Sequence, residues 1–323
     1  MRFSTPARIT CLAIAVTMAA CSKKEDTTPE GPATPDYFRP ANAKSDAYIN
    51  QIFEYKPAPG QFTNDPTIGS AEGAKKLIGG TDALVSLGAF GGYVTFGFDH
   101  SIENKAGYDL GTVGNPLVNT GMEWSEPGIV MVMQDLNGNG KPDDGEWYEL
   151  AGSEYNAAST IKNYKITYYN PKTTTATDVL WKDNQGKSGY VLANTYHPQS
   201  YFPEFAAGQE SIVFEGTLLA NTFQKPKGLF INTPLAWGYA DNGSKELIDM
   251  RNNGETGYNG FDISNAVNSK GEKVNLKYID FVKLYTGQNC NGSLNADPAK
   301  ADRLVGEIST EISGAFDVHV KKK

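Results

Sequence analysis

Residues 124–152 read WSEPGIVMVMQDLNGNGKPDDGEWYELAG, and the fold is decided by how this run is read. Its centre, 135–146, is DLNGNGKPDDGE. Oxygen-bearing side chains recur there at Asp135, Asn137, Asn139, Asp143 and Glu146. Gly140 stands where a calcium loop must turn sharply, and the Lys141 carbonyl falls at the position that supplies a backbone ligand. A hard cation such as Ca2+ takes about six to eight oxygens, and alternate residues of a tight loop can supply them. The flanks, GIVMVMQ at 128–134 and WYEL at 147–150, are rich in Val, Ile, Trp and Tyr and read as strands. A sensor EF-hand has a helix on each side. Here the loop joins two strands, and a structural Ca2+ would staple the turn. Asn, Asp and Gly also favour such a turn without any metal, so the sequence leaves both readings open.

Working outward, the rest of the chain reads as a β-scaffold. Residues 83–102 (ALVSLGAFGGYVTFGFDHSI) give the strongest strand pattern, with glycines at 88, 91, 92 and 97 marking a bend or a close backbone approach. IKNYKITYY at 161–169 alternates as a half-buried strand. VNLKYIDFVKLY at 274–285 alternates too, with a slip near 279–281. Further strands are expected at 108–116, 190–192, 210–218, 228–231 and 311–320. Residues 181–189 and 242–259 read as loops, residues 43–51 as a short helix and residues 71–78 as one or two helical turns. Roughly ten short strands with turn signals between them predict an all-β fold, a jelly-roll-like β-sandwich spanning 46–323. Two smaller sandwiches split near 170–190 are the alternative.

The chain of 323 residues carries a formal charge of -8 with no basic stripe, which argues against nucleic acid. Its 17 Tyr and 34 Gly suit a turn-rich β protein. At the N-terminus, Arg2 and Arg8 precede a short apolar run, 9–20, that ends in Met18-Ala19-Ala20-Cys21. The run is too short to span a bilayer comfortably. Small residues before a cysteine resemble a bacterial lipobox, which implies a signal peptide at 1–20, lipidation of Cys21 and attachment to the membrane. A plain secretory signal is the alternative. Residues 21–45, rich in Pro, Thr and charge, then form a flexible tether. Cys290 is the one cysteine left for the folded part, so no intrachain disulfide is expected.

Three runs together, YKPAPGQFTN (55–64), GAFGGYVTFGFDHSI (88–102) and SEPGIVMVMQDLNGNGKPDDGEWYELAGSEY (125–155), carry a resemblance. So do ITYYNP, WKDN with SGYV, GYADN, FDISNAV and IDFVKLYT further on. Over most of residues 50–320 the chain resembles the cell-surface lipoproteins of Bacteroidota that are often described with a PKD domain. Members are commonly encoded beside TonB-dependent transporters, including those of vitamin B12 uptake. The resemblance implies a lipid-anchored protein at the surface of the outer membrane with a transporter as partner. It implies a nutrient ligand, for which cobalamin is the first expectation.

No nucleophile elbow, HExxH, P-loop or dinucleotide fingerprint is present, and no enzyme is expected. His100, His197 and His319 are scattered, which favours hydrogen-bonded strand-end histidines over a zinc site. A glycosidase-type pair among Asp99, Asp109, Glu123 and Glu126 would make a hydrolase of glycans or peptides. A flat amphipathic corrinoid needs an aromatic depression with polar rim groups. Loop residues Trp124, Trp181, Tyr196, His197, Tyr201, Phe202, Trp237 and Tyr258 are the candidates to line it. The same exposed aromatics on a calcium-stapled sandwich also suit carbohydrate, the second expectation.

Overall fold

Strands account for most of the regular structure in the computed structural model, which describes residues 1, 36–119, 122–295 and 297–322. The signal peptide, the lipobox and Cys21 lie outside the described residues. In chain order the strands are β1 (Gln51–Lys56), β2 (Val85–Ser86), β3 (Tyr93–Glu103), β4 (Leu110–Val113), β5 (Leu117–Asn119), β6 (Met122–Trp124) and β7 (Gly128–Met133). They continue with β8 (Tyr148–Leu150), β9 (Ile161–Tyr169), β10 (Val179–Asp183), β11 (Ser188–Val191), β12 (Ser211–Leu218) and β13 (Phe223–Gln224). The last are β14 (Ile231–Asn232), β15 (Asn259–Phe261), β16 (Ala266–Val267), β17 (Tyr278–Thr286), β18 (Glu311–Ile312) and β19 (Gly314–Asp317). Among the described residues two short α-helices, α1 (Ala71–Ala74) and α2 (Lys245–Asn252), and four 3-10 turns accompany them.

The fold is all-β, as the alternation predicts. The strands of the described residues divide among five sheets, small blade-like units beside a larger one, instead of the two sheets of a jelly roll. The largest runs β1-β3-β17-β7-β8-β16 and is antiparallel throughout. The near-continuous apolar run of β7 explains its central place, because a strand buried on both faces needs no polar alternation. On one face Val94, Phe96, Val130, Val132, Val282 and Leu284 join Leu110, Phe261 and Ala315 of the β15-β4-β19 sheet. On the other, Ile129 and Tyr285 join Tyr164, Ile166, Tyr168 and Phe214 of the β11-β10-β9-β12 sheet. Each of these large side chains contributes about 1.5–3 kcal/mol by leaving water. The slip read near 279–281 is a register shift between Ile279 and Phe281 against β3.

Glycine makes the bend before β3 possible. Gly88 has φ +72°, and a Cβ there would lie 2.1 Å from the Ala58 carbonyl oxygen. A Cβ on Gly92 would lie 1.8 Å from that of Leu87.

Three expectations are corrected. Residues 43–51 form no helix: Ser45, Ala47 and Ile49 alternate buried with their neighbours, and Ile49 N–H donates to the Ala315 carbonyl as in an extended segment. Residues 181–189 are not a loop, since β10 and β11 pair there as a hairpin. The 242–259 loop contains α2, whose sequence hides an apolar face because Leu247 is its one buried residue. The turns expected at 71–78 are α1 and a following 3-10 turn. Asp36–Lys323 forms one compact unit. Part of the expected tether packs on it: Tyr278 donates to Asp36, and Arg39 pairs with buried Asp280 at 3.1 Å. No helix among the described residues is long and apolar enough to cross a membrane.

Candidate functional site

The 135–146 loop connects β7 to β8 and is tied by its own side chains. Asp135 is buried; its two carboxylate oxygens accept the amides of Gly138 (2.7 Å) and Gly140 (2.9 Å). Its own amide donates to Asp280 on β17, which fixes the loop to the central sheet. Asn137 and Asn139 each accept an amide two residues on, and Asn139 donates to Asp143 at 2.9 Å. Asp144, which carried no role in the sequence reading, accepts the amides of Leu136 and Asn137. Glu146 instead accepts the Ser269 amide at 2.6 Å, which holds its carboxylate below the usual range and ties the loop's exit to the turn after β16. Lys141 lies exposed at the tip, and its amide is taken by Asn139. Among the described residues no group of three or more His, Cys, Asp or Glu side chains is gathered as a metal cluster.

Beside this loop lie two cavities that the sequence reading missed. Directly opposed residues on antiparallel strands share a face. The register therefore aligns Glu54, Thr95, Lys283, Met131, Glu149 and Val267 in one row across β1, β3, β17, β7, β8 and β16. The row lies next to Tyr285 and Ile129, where the β9–β12 sheet covers the same face. Trp147, half-buried at the loop's exit, lines two cavities on this row. One, of about 480 Å3, is lined by Met131, Glu149, Tyr155, Lys162 and the 268–271 turn. The other, of about 410 Å3, is lined by Phe53, Glu54, Tyr93, Lys141, Pro142 and Lys283.

Each cavity holds a lysine seated on a tyrosine ring beside a glutamate. Lys162 Nζ lies 2.9 Å from the Tyr155 ring centroid and 3.7 Å from Glu149 Oε1. Lys283 Nζ lies 4.0 Å from the Tyr93 ring, whose hydroxyl donates to Glu54 at 2.5 Å. Burial lowers the pKa of both lysines, against the opposing pull of Glu149 and Glu54. Burial likewise raises that of Glu149, although Lys162 and the Thr217 hydroxyl oppose it. Thr217 Oγ1 donates to Glu149 Oε2 at 2.5 Å. Gly216 leaves room for the Tyr285 hydroxyl, which accepts the Thr217 amide at 2.9 Å. Perturbed charges gathered in a depression mark a candidate binding or catalytic site.

The aromatics named from the sequence do not gather around one depression. Tyr201 and Phe202 are buried in the core, and Trp181 packs on the same cluster. Trp124 packs edge-on against Phe223, and Tyr258 against Phe316. His197 stands edge-on to Phe62, 4.6 Å between centroids, and burial lowers its pKa. Tyr196 and Trp237 are exposed. They lie on separate elements, and none lines either cavity.

The other histidines serve the C-terminal strand. Buried His100 bridges Asp99 (2.6 Å) and Asp317 (2.9 Å), and His319 Nε2 meets Asp109 at 2.9 Å. Glu123 is exposed. Glu126 lies in a buried acidic group with Asp241, Glu307 and Glu311. Burial raises all four carboxylates, Glu307 to about 8 and Glu311 to about 6, and mutual repulsion adds to it for Glu126, Asp241 and Glu307. Cys290 is buried, which pushes its thiol up to about 11 and away from nucleophilic use.

No family model matches the chain, and no curated protein matches it.

Proposed function

We propose that the chain is a lipid-anchored surface protein that binds a nutrient-sized small molecule in the cavities that share Trp147. The carrying observation is the cross-strand row, which supplies Glu149 to one cavity and Glu54 and Lys283 to the other, where Tyr155 with Lys162 and Tyr93 complete a lysine–tyrosine–glutamate group in each and Trp147 lines both. Ligand sites of this kind commonly enclose about 300–1,000 Å3, with an apolar wall and a few polar anchors. The ligand proposed first is a corrinoid destined for a TonB-dependent outer-membrane transporter. Its support is the resemblance of residues 50–320 together with the two cavities that share Trp147 in their walls.

Ca2+ in the 135–146 loop belongs to the same proposal. Asp135, Asn137, Asn139, Asp143 and the Lys141 carbonyl offer the hard oxygens such an ion takes, and Asp144 adds a carboxylate to the set. An ion there would stiffen the segment that carries Trp147. A neutral glycan is the second reading, favoured by the half-buried Trp147 face flanked by polar side chains. Calorimetric titration of the full chain in detergent with cyanocobalamin, with and without Ca2+, tests the first reading. Saturable binding that Trp147→Ala weakens by about tenfold or more is expected. No heat with cyanocobalamin but binding of a glucan selects the second.

A further inference from the structure

Lys283 stands on β17, the strand between β3 and β7 in the largest sheet, with buried Val282 and Leu284 beside it in sequence. A charge in such a place is costly unless something pairs with it. One side of the ammonium lies on the Tyr93 ring, 4.0 Å from its centroid. Among the described residues it makes no hydrogen bond and no ion pair, and its Nζ still reaches solvent through the cavity. Lys162 differs, since its nitrogen is buried between the Tyr155 ring and Glu149. The carboxylates around Lys283 are engaged elsewhere. Glu54 is held by Lys56 and by the Tyr93 hydroxyl, and Asp143 accepts from Asn139 within its own loop. Lys141 lines the same cavity, so three lysines stand against two carboxylates there. Phe53, Pro142 and Trp147 supply an apolar wall. An ammonium has three donors and no acceptor, and its strongest partners are carboxylate and phosphate oxygens.

We propose that Lys283 Nζ anchors an oxyanion of the ligand, a carboxylate or a phosphodiester, while the ligand's body lies against Phe53, Pro142 and Trp147 in the cavity of about 410 Å3. Two sources carry that chemistry: the phosphodiester of a nucleotide-bearing corrinoid and the carboxylate of a uronic acid. The inference rests on the reading of these cavities as the ligand site, and it narrows the glycan of the second reading to an acidic one. Burial lowers the Lys283 pKa, and a bound anion would offset that cost.

The test is calorimetric titration of the full chain in detergent with two matched pairs of probes and a neutral glucan oligosaccharide. One pair is cyanocobalamin and dicyanocobinamide, which keeps the corrin ring without the phosphodiester. The other is tetragalacturonate and its methyl ester. The proteins are the parent, Lys283→Met, Trp147→Ala and Lys187→Met, with melting temperatures as the fold control. Met keeps the stem beside Tyr93 and removes the charge. Lys187 is exposed before β11 and lines neither cavity, so its variant controls for the loss of one positive charge. The charged member of one pair should bind the parent about tenfold or more tighter than its neutral partner, and which pair does so identifies the source. Lys283→Met should weaken the charged member about tenfold or more, and Lys187→Met should leave it within about twofold. The neutral member should bind the parent and Lys283→Met alike, because the group that the lysine meets is gone. Equal binding of both members of each pair by the parent, or binding of the glucan alone, overturns the subsite and leaves the cavities as the site. So does binding lost in Trp147→Ala but kept in Lys283→Met. Binding insensitive to both variants, or no binding of any probe, overturns the subsite and the site reading together.

Discussion

Glu307→Gln should make the protein more stable at neutral pH and flatten its dependence on pH. Glu307 is 1% exposed, and its Oε1 accepts the Gln61 amide at 2.9 Å. Its Oε2 is buried with no hydrogen-bond partner. Gly60 makes room for it, since a Cβ there would stand 2.3 Å from Oε1. Burial raises the carboxyl from 4.5 to about 8, with Glu311 adding repulsion. The sign follows from proton counting. Between these values the folded chain keeps a proton that the unfolded chain has released, so stability is fully present below 4.5 and is lost as pH rises through 8. The loss is about 1.4 kcal/mol per pH unit, or about 5 kcal/mol across the window. Glutamine stays neutral and keeps an oxygen for the Gln61 amide. The variant should match the parent near pH 4.5 and exceed it by several kcal/mol near pH 8. Urea unfolding across that range measures both slopes. Equal slopes for parent and variant, or a variant less stable at pH 8, would refute the reasoning.

His100→Gln should destabilise by about 3–5 kcal/mol, because it leaves Asp317 buried without its cation. Although burial opposes it, Asp317 and Asp99 hold the His100 pKa above 6.5, so in the parent this contribution is lost as pH rises beyond that range; denaturant titration at two pH values checks both statements. Gly216→Ala should cost about 1–3 kcal/mol, since its Cβ would press 2.8 Å from the Tyr285 ring, and thermal unfolding reads it. Asp135→Ala strips the acceptor from the Gly138 and Gly140 amides and should cost about 1–3 kcal/mol. If the loop takes Ca2+, chelation should lower the melting temperature of the parent and leave that of Asp135→Ala unchanged.

Strand identity was legible because it is written locally. GIVMVM announces a strand buried on both faces, IKNYKITYY one buried on a single face, and the broken alternation near 279–281 is the register shift itself. Extended structure at 43–51 went unread since Ala47 and Ile49 are too few to set a period against helix-friendly neighbours. The loop's turn chemistry was equally local, although the sequence could not tell that Glu146 would reach Ser269 and that Asp144 would close the loop. Glu149 and Lys162 look like ordinary strand residues. They meet only because β8 pairs with β7 in one register while β9 crosses the same face in another sheet. Trp147 read as the first residue of a strand, and the aromatics that looked available, such as Tyr201 and Phe202, were spent in the core. Side-chain period belongs to a few consecutive residues, so the sequence by itself determined an all-β chain with a tight acidic loop. Which rows of side chains face one another depends on pairing between strands distant in the chain, and that the tertiary structure alone decided.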